Sequence, residues 1–123
     1  QELLETIELA DKQDTLARDL SFGQQKLISI SQVLMLEPEL ILLDEPLAGV
    51  NPTMENKILE IMRSQLERGK TFVLVEHDMD VVMSECDDVV VMESGSVLTR
   101  GPPSTVQQNE RVLEAYFGSD DDE

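Results

Sequence analysis

Two uninterrupted apolar runs constrain this chain more than any other feature. The first is Leu40-Ile41-Leu42-Leu43, closed by Asp44; the second runs from Thr71 to Val75. Between them Ile58, Ile61, Met62 and Leu66 recur at helical spacing. Parallel strands need a crossover of this kind, so strand, helix, strand predicts an α/β fold with a parallel sheet. The runs are continuous rather than alternating, which predicts strands covered on both faces. Full burial of Ile41, Leu42, Leu43, Phe72, Val73 and Leu74 would contribute roughly 1.5–3 kcal/mol each before entropy is counted.

The flanking segments read as helices and one hairpin. Apolar spacing over residues 2–18 predicts two short helices broken near Lys12–Gln13. Ser21 with Gln24 three residues later has the form of a capping box, and Leu27, Ile30, Val33 and Leu34 supply an inner face to a helix ended by Pro38. Glu39 to Asp44 follows as a strand. Asn51 and Pro52 form an N-cap and first-turn pair, and Gly69 stops the crossover helix. Asp78 caps a short helix carrying Val81, Val82 and Met83. Val89–Met92 and Ser96–Thr99 flank Ser94-Gly95 as a hairpin. Gly101-Pro102-Pro103 breaks the chain before a last helix running to about Phe117. The whole reads as one compact piece with an acidic tail.

With 123 residues, 41% of them hydrophobic, the chain can build one modest core. No stretch approaches the ~20 apolar residues of a membrane span, and the polar, acidic start does not resemble a signal peptide. The chain opens on Gln1 rather than Met, so further residues are expected upstream. Cys86 stands alone, which excludes an internal disulfide, suits a reducing cytosol, and marks it as a small core residue. The net charge of −17, from 26 acids against 9 bases, excludes the basic footprint of a nucleic-acid binder. Spread acids with few lysines agree with a solvated acidic face adapted to high salt.

Asp44 and Glu45 sit at the end of a buried-type strand, where an unpartnered carboxylate is costly. Ligands of open α/β sheets lie beyond the carboxyl ends of the strands. If the two strands are neighbours, Asp44, Glu45, Glu76 and His77 meet at one rim. Ser21, Phe22, Gly23 and Gln24 open a helix, whose first N–H groups and positive dipole end favour phosphate. Gly23 lets the backbone come close to a ligand.

In this order the motifs resemble the nucleotide-binding domain of ABC transporters. LSFGQ looks like the signature motif, ILLDEP like Walker B, Leu47 to Pro52 like the D-loop, and Glu76-His77-Asp78 carries the switch histidine. AGVNP, EHDMDVVM and NERVLEAYFG are similar to the ATPases of branched-chain amino acid importers. The resemblance implies a P-loop NTPase-like fold. Residues 1–38 would end the helical subdomain with the signature helix, 39–118 would form the C-terminal part of the α/β core, and 119–123 a disordered acidic tail. It implies ATP and Mg²⁺ as ligands, with Asp44 holding the metal through water. Glu45 would activate the attacking water and His77 would contact the γ-phosphate. Ser21, Phe22, Gly23 and Gln24 would face the ATP of an opposite subunit, with Gly49 and Asn51 in the D-loop. The implied partners are permease subunits and a second ATPase subunit in a head-to-tail dimer, at the cytoplasmic face of the membrane.

Three positions depart from the family pattern. Phe22 stands where Gly is usual, Asn51 where Asp is usual, and Gln32 where Arg is common. No GxxxxGK[ST] phosphate loop occurs in the 123 residues, so these residues alone are expected not to hydrolyse ATP. Two other readings are a non-transport ABC-type ATPase, of DNA repair or translation, and a non-catalytic interaction module; intact Glu45 and His77 argue against the second.

Overall fold

A computed structural model describes residues 2–116 of the chain. Its contacts divide into two compact units, one ending at Val75 and the next starting at Glu76. Two separate two-stranded sheets underlie that division, so no strand ladder joins the units among the described residues.

The first unit opens with α1 (Glu2–Thr6), then 3-10 turns at Ala10–Lys12 and Ala17–Asp19. The first helix therefore ends well before the expected break at Lys12–Gln13. Glu8 takes a left-handed backbone, φ 56°, with Glu8 N–H donating to the Glu5 carbonyl and Leu9 N–H to that of Leu4. This is a Schellman ending built without glycine, and the Glu8 carboxylate pairs with Lys57. The LSFGQ segment then opens α2 (Phe22–Leu34), capped as expected by Ser21. Its buried stripe is Leu27, Ile30, Ser31 and Leu34. Val33, expected inside, is 44% exposed, because the i, i+3, i+4, i+7 stripe from Leu27 takes Ser31 instead. The Ser31 hydroxyl is satisfied by the Leu27 carbonyl at 2.8 Å.

Strand β1 (Leu40–Asp44), crossover helix α3 (Pro52–Glu67) and strand β2 (Thr71–Val75) complete this unit. The strands pair in parallel as expected, from Leu40 opposite Thr71 to Asp44 opposite Val75. Asn51 caps α3 through the Met54 N–H at 2.9 Å, and Pro52 opens it. Gly69, φ 85°, ends it with the Lys70 N–H on the Gln65 carbonyl. Burial on both faces of the strands is not what forms. Ile41 is buried, but Leu42 is 69% exposed and Leu40, Val73 and Val75 about half exposed. Paired residues of a parallel ladder share a face, so one face is packed by the unit's helices and the other is an open apolar surface.

The second unit contains α4 (Met79–Glu85), β3 (Val89–Glu93), β4 (Ser96–Gly101), α5 (Pro103–Val106) and α6 (Glu110–Tyr116). Asp78 caps α4 by accepting from the Asp80 and Val81 N–H groups. The expected hairpin forms, with left-handed Ser94 and Gly95 at its tip, the backbone a tight two-residue turn requires. Its core is Val82, Val89, Val91, Val106 and Val112. Cys86 packs on that core, and burial, then Asp87 and Glu85, push its thiol pKa up. It is a packing residue, as expected. The single last helix expected after Pro103 is instead two, because Asn109 restarts the chain by capping Arg111. The end at Phe117 and the tail 119–123 lie outside the described residues. No described helix is long and apolar enough to cross a membrane.

Candidate functional site

β1 ends on Asp44, level with Val75 at the end of β2. The chain then turns sharply. Glu45 has φ 46°, a left-handed conformation that costs a residue other than glycine about 1–3 kcal/mol. The surroundings hold it there. Its N–H donates to the Val75 carbonyl at 2.7 Å, extending the ladder by one bond, and its carbonyl accepts from the Ala48 N–H at 3.2 Å. Pro46 and Leu47 are buried behind it, so both acid side chains stay at the exposed rim while the loop is anchored.

The start of α2 is closed by a reciprocal pair of bonds. Gln24 N–H donates to Ser21 Oγ at 3.2 Å, and Ser21 N–H donates to Gln24 Oε1 at 3.0 Å. The Phe22 and Gly23 N–H groups have no intrahelical acceptor in this first turn, and the Ser21 hydroxyl keeps its proton to donate. Three donors therefore gather at the positive end of a helix of 13 residues, suited chemically to a phosphate.

Packing ties this helix start to the loop after β1. Phe22 remains 61% exposed, and its ring lies beside Gly49, where an added Cβ would come within 3.3 Å of Cε1. A Cβ on Gly23 would come within 2.7 Å of Met54 Cγ. Gly23 thus makes room for α3 itself, a role its motif position did not announce. Asn51 fixes Met54 through its cap. Lys26, not singled out from the sequence, donates from Nζ to the Ala48 carbonyl at 2.8 Å and the Glu45 carbonyl at 3.3 Å. Its one visible signal was being the sole basic residue of α2.

Ser21, Phe22, Gly23, Gln24, Asp44, Glu45, Gly49 and Asn51 thus all belong to the first unit. His77 is the second residue of the other, exposed, just before the α4 cap. No group of three His, Cys, Asp or Glu that could cage a metal occurs among the described residues. An exposed Asp44 carboxylate fits a Mg²⁺ ion, which is commonly held by one or two carboxylates, waters and substrate phosphates.

Residues 1–48 match the family model of the ABC transporter, and residues 96–122 match that of the branched-chain amino acid ATP-binding cassette transporter. The chain is 36% identical to a probable branched-chain amino acid transport ATP-binding protein of Archaeoglobus fulgidus, over 98% of this chain and 47% of the relative. It is 37% identical to a Nod factor export ATP-binding protein of Neorhizobium galegae, over 98% of this chain and 35% of the relative. The ADP conformation of an ATP-binding cassette from an ABC transporter superposes with TM-score 0.83 at 34% identity, over 96% of this chain and 48% of the cassette. The chain is similar along its length to ATP-binding proteins of ABC transporters. It spans about half the length of the first relative and of the solved cassette. Its fold is the ATP-binding cassette fold, as the motifs implied.

One property of this cassette segment follows from Gly49, whose φ is 73°. Gly49→Ala is expected to lower stability by about 1–2 kcal/mol, the cost of a side chain in left-handed backbone. Urea denaturation measures it. Phe22→Ala in the same background should recover little, since the strain lies in the main chain.

Proposed function

We propose that this chain is the C-terminal part of an ATP-hydrolysing subunit that powers an ABC importer, with branched-chain amino acids as its solute. The observation that carries the reading is the level ending of two parallel strands at Asp44 and Val75, with Glu45 held at that rim and the Ser21 helix start packed on the same loop. In the reaction, Asp44 would hold Mg²⁺ through water, and the ion would neutralise charge on the phosphates. Glu45 accepts a proton from the attacking water. His77 contacts the γ-phosphate. Ser21, Phe22, Gly23 and Gln24 face a nucleotide held mainly by a second subunit, so the working form is a head-to-tail dimer with Gly49 and Asn51 at the subunit boundary. Asn51, spent as the α3 cap, offers its amide N–H₂ there. Positioning and charge neutralisation are the main requirements of phosphoryl transfer.

The dimer docks on permease subunits at the cytoplasmic membrane face. The branched-chain amino acid cassette model and the transport relative support the solute; uptake of leucine by the reconstituted full-length transporter, dependent on ATP, tests it. Failure there with efflux of another solute would reassign the direction.

The phosphate grip is absent from these 123 residues. The isolated chain is therefore expected to bind Mg-ATP more weakly than about 1 mM, the affinity range of ~4 kcal/mol. Sub-millimolar binding in calorimetry would contradict that division of labour.

A further inference from the structure

The two peptide groups flanking the Glu45 Cα are held from opposite sides. β2 takes the N–H before it, at 2.7 Å. The carbonyl after it accepts from the Ala48 N–H and from Lys26 Nζ, the latter at 3.3 Å. Lys26 also reaches the Ala48 carbonyl at 2.8 Å, one residue before left-handed Gly49. Its ammonium lies 5.4 Å from the centre of the Phe22 ring. An ammonium has three donors and no acceptor, and two of them here bridge one loop at both ends of its turn. Lys26 stands one helical turn after Phe22, so the same first turns of α2 carry the Ser21 donors and this clamp.

We propose that Lys26 is a positioning residue for ATP hydrolysis: it fixes the Glu45 backbone, and through it the reach of the carboxylate, from the signature helix of the same chain. The proposal rests on Glu45 as the base. A residue in left-handed backbone has a nearby, more populated alternative. Releasing the carbonyl after it lets the peptide rotate, and the carboxylate moves with the Cα. Without Lys26 that carbonyl loses its charged donor and keeps the Ala48 N–H at 3.2 Å, which belongs to the same loop and moves with it. Because Lys26 Nζ is engaged with the Glu45 and Ala48 carbonyls, its loss acts on the chemical step and not on substrate affinity.

The test uses the full-length protein and four forms: wild type, Lys26→Met, Lys26→Arg and Glu45→Gln. Met keeps the length of the side chain and removes every donor. Lys26→Met is expected to lower kcat about 10- to 100-fold, the range that a small misplacement of a catalytic group produces. KM should stay within about twofold, because the loss falls on transition-state stabilisation, and the melting temperature should fall by only about a few degrees, for the two exposed hydrogen bonds removed. Lys26→Arg, which still donates to both carbonyls, should recover most of kcat. Wild-type kcat in Lys26→Met, or Lys26→Arg as slow as Lys26→Met, overturns the proposal. So does a fall in kcat matched by a rise in KM and a larger drop in melting temperature, the mark of a folding role. If Lys26→Met does not fold, Lys26→Gln is read on the same assays and against the same outcomes. Glu45→Gln separates the two levels. If it retains turnover, the base assignment fails and Lys26 falls with it; if it is inactive while Lys26→Met is normal, only the Lys26 proposal fails.

Discussion

Glu45→Gln in the full-length protein is expected to lower ATP turnover by about 10²–10⁴-fold, the usual contribution of a general base, and to let ATP-bound dimers accumulate. The two side chains have nearly the same shape. The main-chain bonds that hold this residue, from its N–H to Val75 and from Ala48 N–H to its carbonyl, do not involve the carboxylate. What changes is the capacity to accept a proton from water. On the proposed reading, the contacts of Ser21, Gly23 and Gln24 with the nucleotide would remain, and it would stay at the closed interface without being cleaved. Phosphate release measures the first effect; light scattering with and without ATP measures the second. Unchanged turnover would remove Glu45 from this role, and loss of turnover without dimer accumulation would place the defect in nucleotide binding instead.

The local rules written into single residues were the most legible part of this chain. Ser21 with Gln24, Asn51 with Pro52, Asp78, Gly69 and Ser94-Gly95 each specify one hydrogen bond or one backbone conformation, and each does so in the fold. The parallel pairing of β1 and β2 was equally readable, because two apolar runs with a helix between them have few other solutions. Turns made by glutamates were not. Glu8, Glu37 and Glu45 all take left-handed backbone, a role for which composition points to glycine, so the early end of α1 and the bend at the rim carried no signal. Burial across the sheet failed for a different reason. A continuous apolar run reports what a strand is suited to, whereas exposure depends on which layers are present, and among the described residues helices cover one face. At the candidate site, motif order announced the chemical groups but not the packing that joins them. The contacts of Gly23 with Met54, and of Lys26 with the Glu45 and Ala48 carbonyls, are between elements distant in sequence.

Leu27→Ala is expected to cost about 2–5 kcal/mol of stability, as truncating a buried leucine does, whereas Val33→Ala should cost within about 0.5 kcal/mol, as exposed substitutions do. Both residues lie on α2, and helical spacing alone assigned both to its inner face. Leu27 has 0% exposure and Val33 has 44%, which separates them by the area each removes from water. Their helix propensities change in the same direction on going to Ala, since Ala is the better helix former. That offsets some of the loss at β-branched Val33 and little of the cavity left at Leu27. Urea denaturation of the 123-residue chain gives the comparison directly, read as a shift in midpoint at constant slope. Equal losses at the two positions would mean that α2 packs by the other stripe. In that case the helix would be rotated about its axis, and Lys26, next to Leu27 in the chain, could not face the Glu45 carbonyl. A stability measurement remote from any nucleotide therefore bears on the geometry of the rim proposed for hydrolysis.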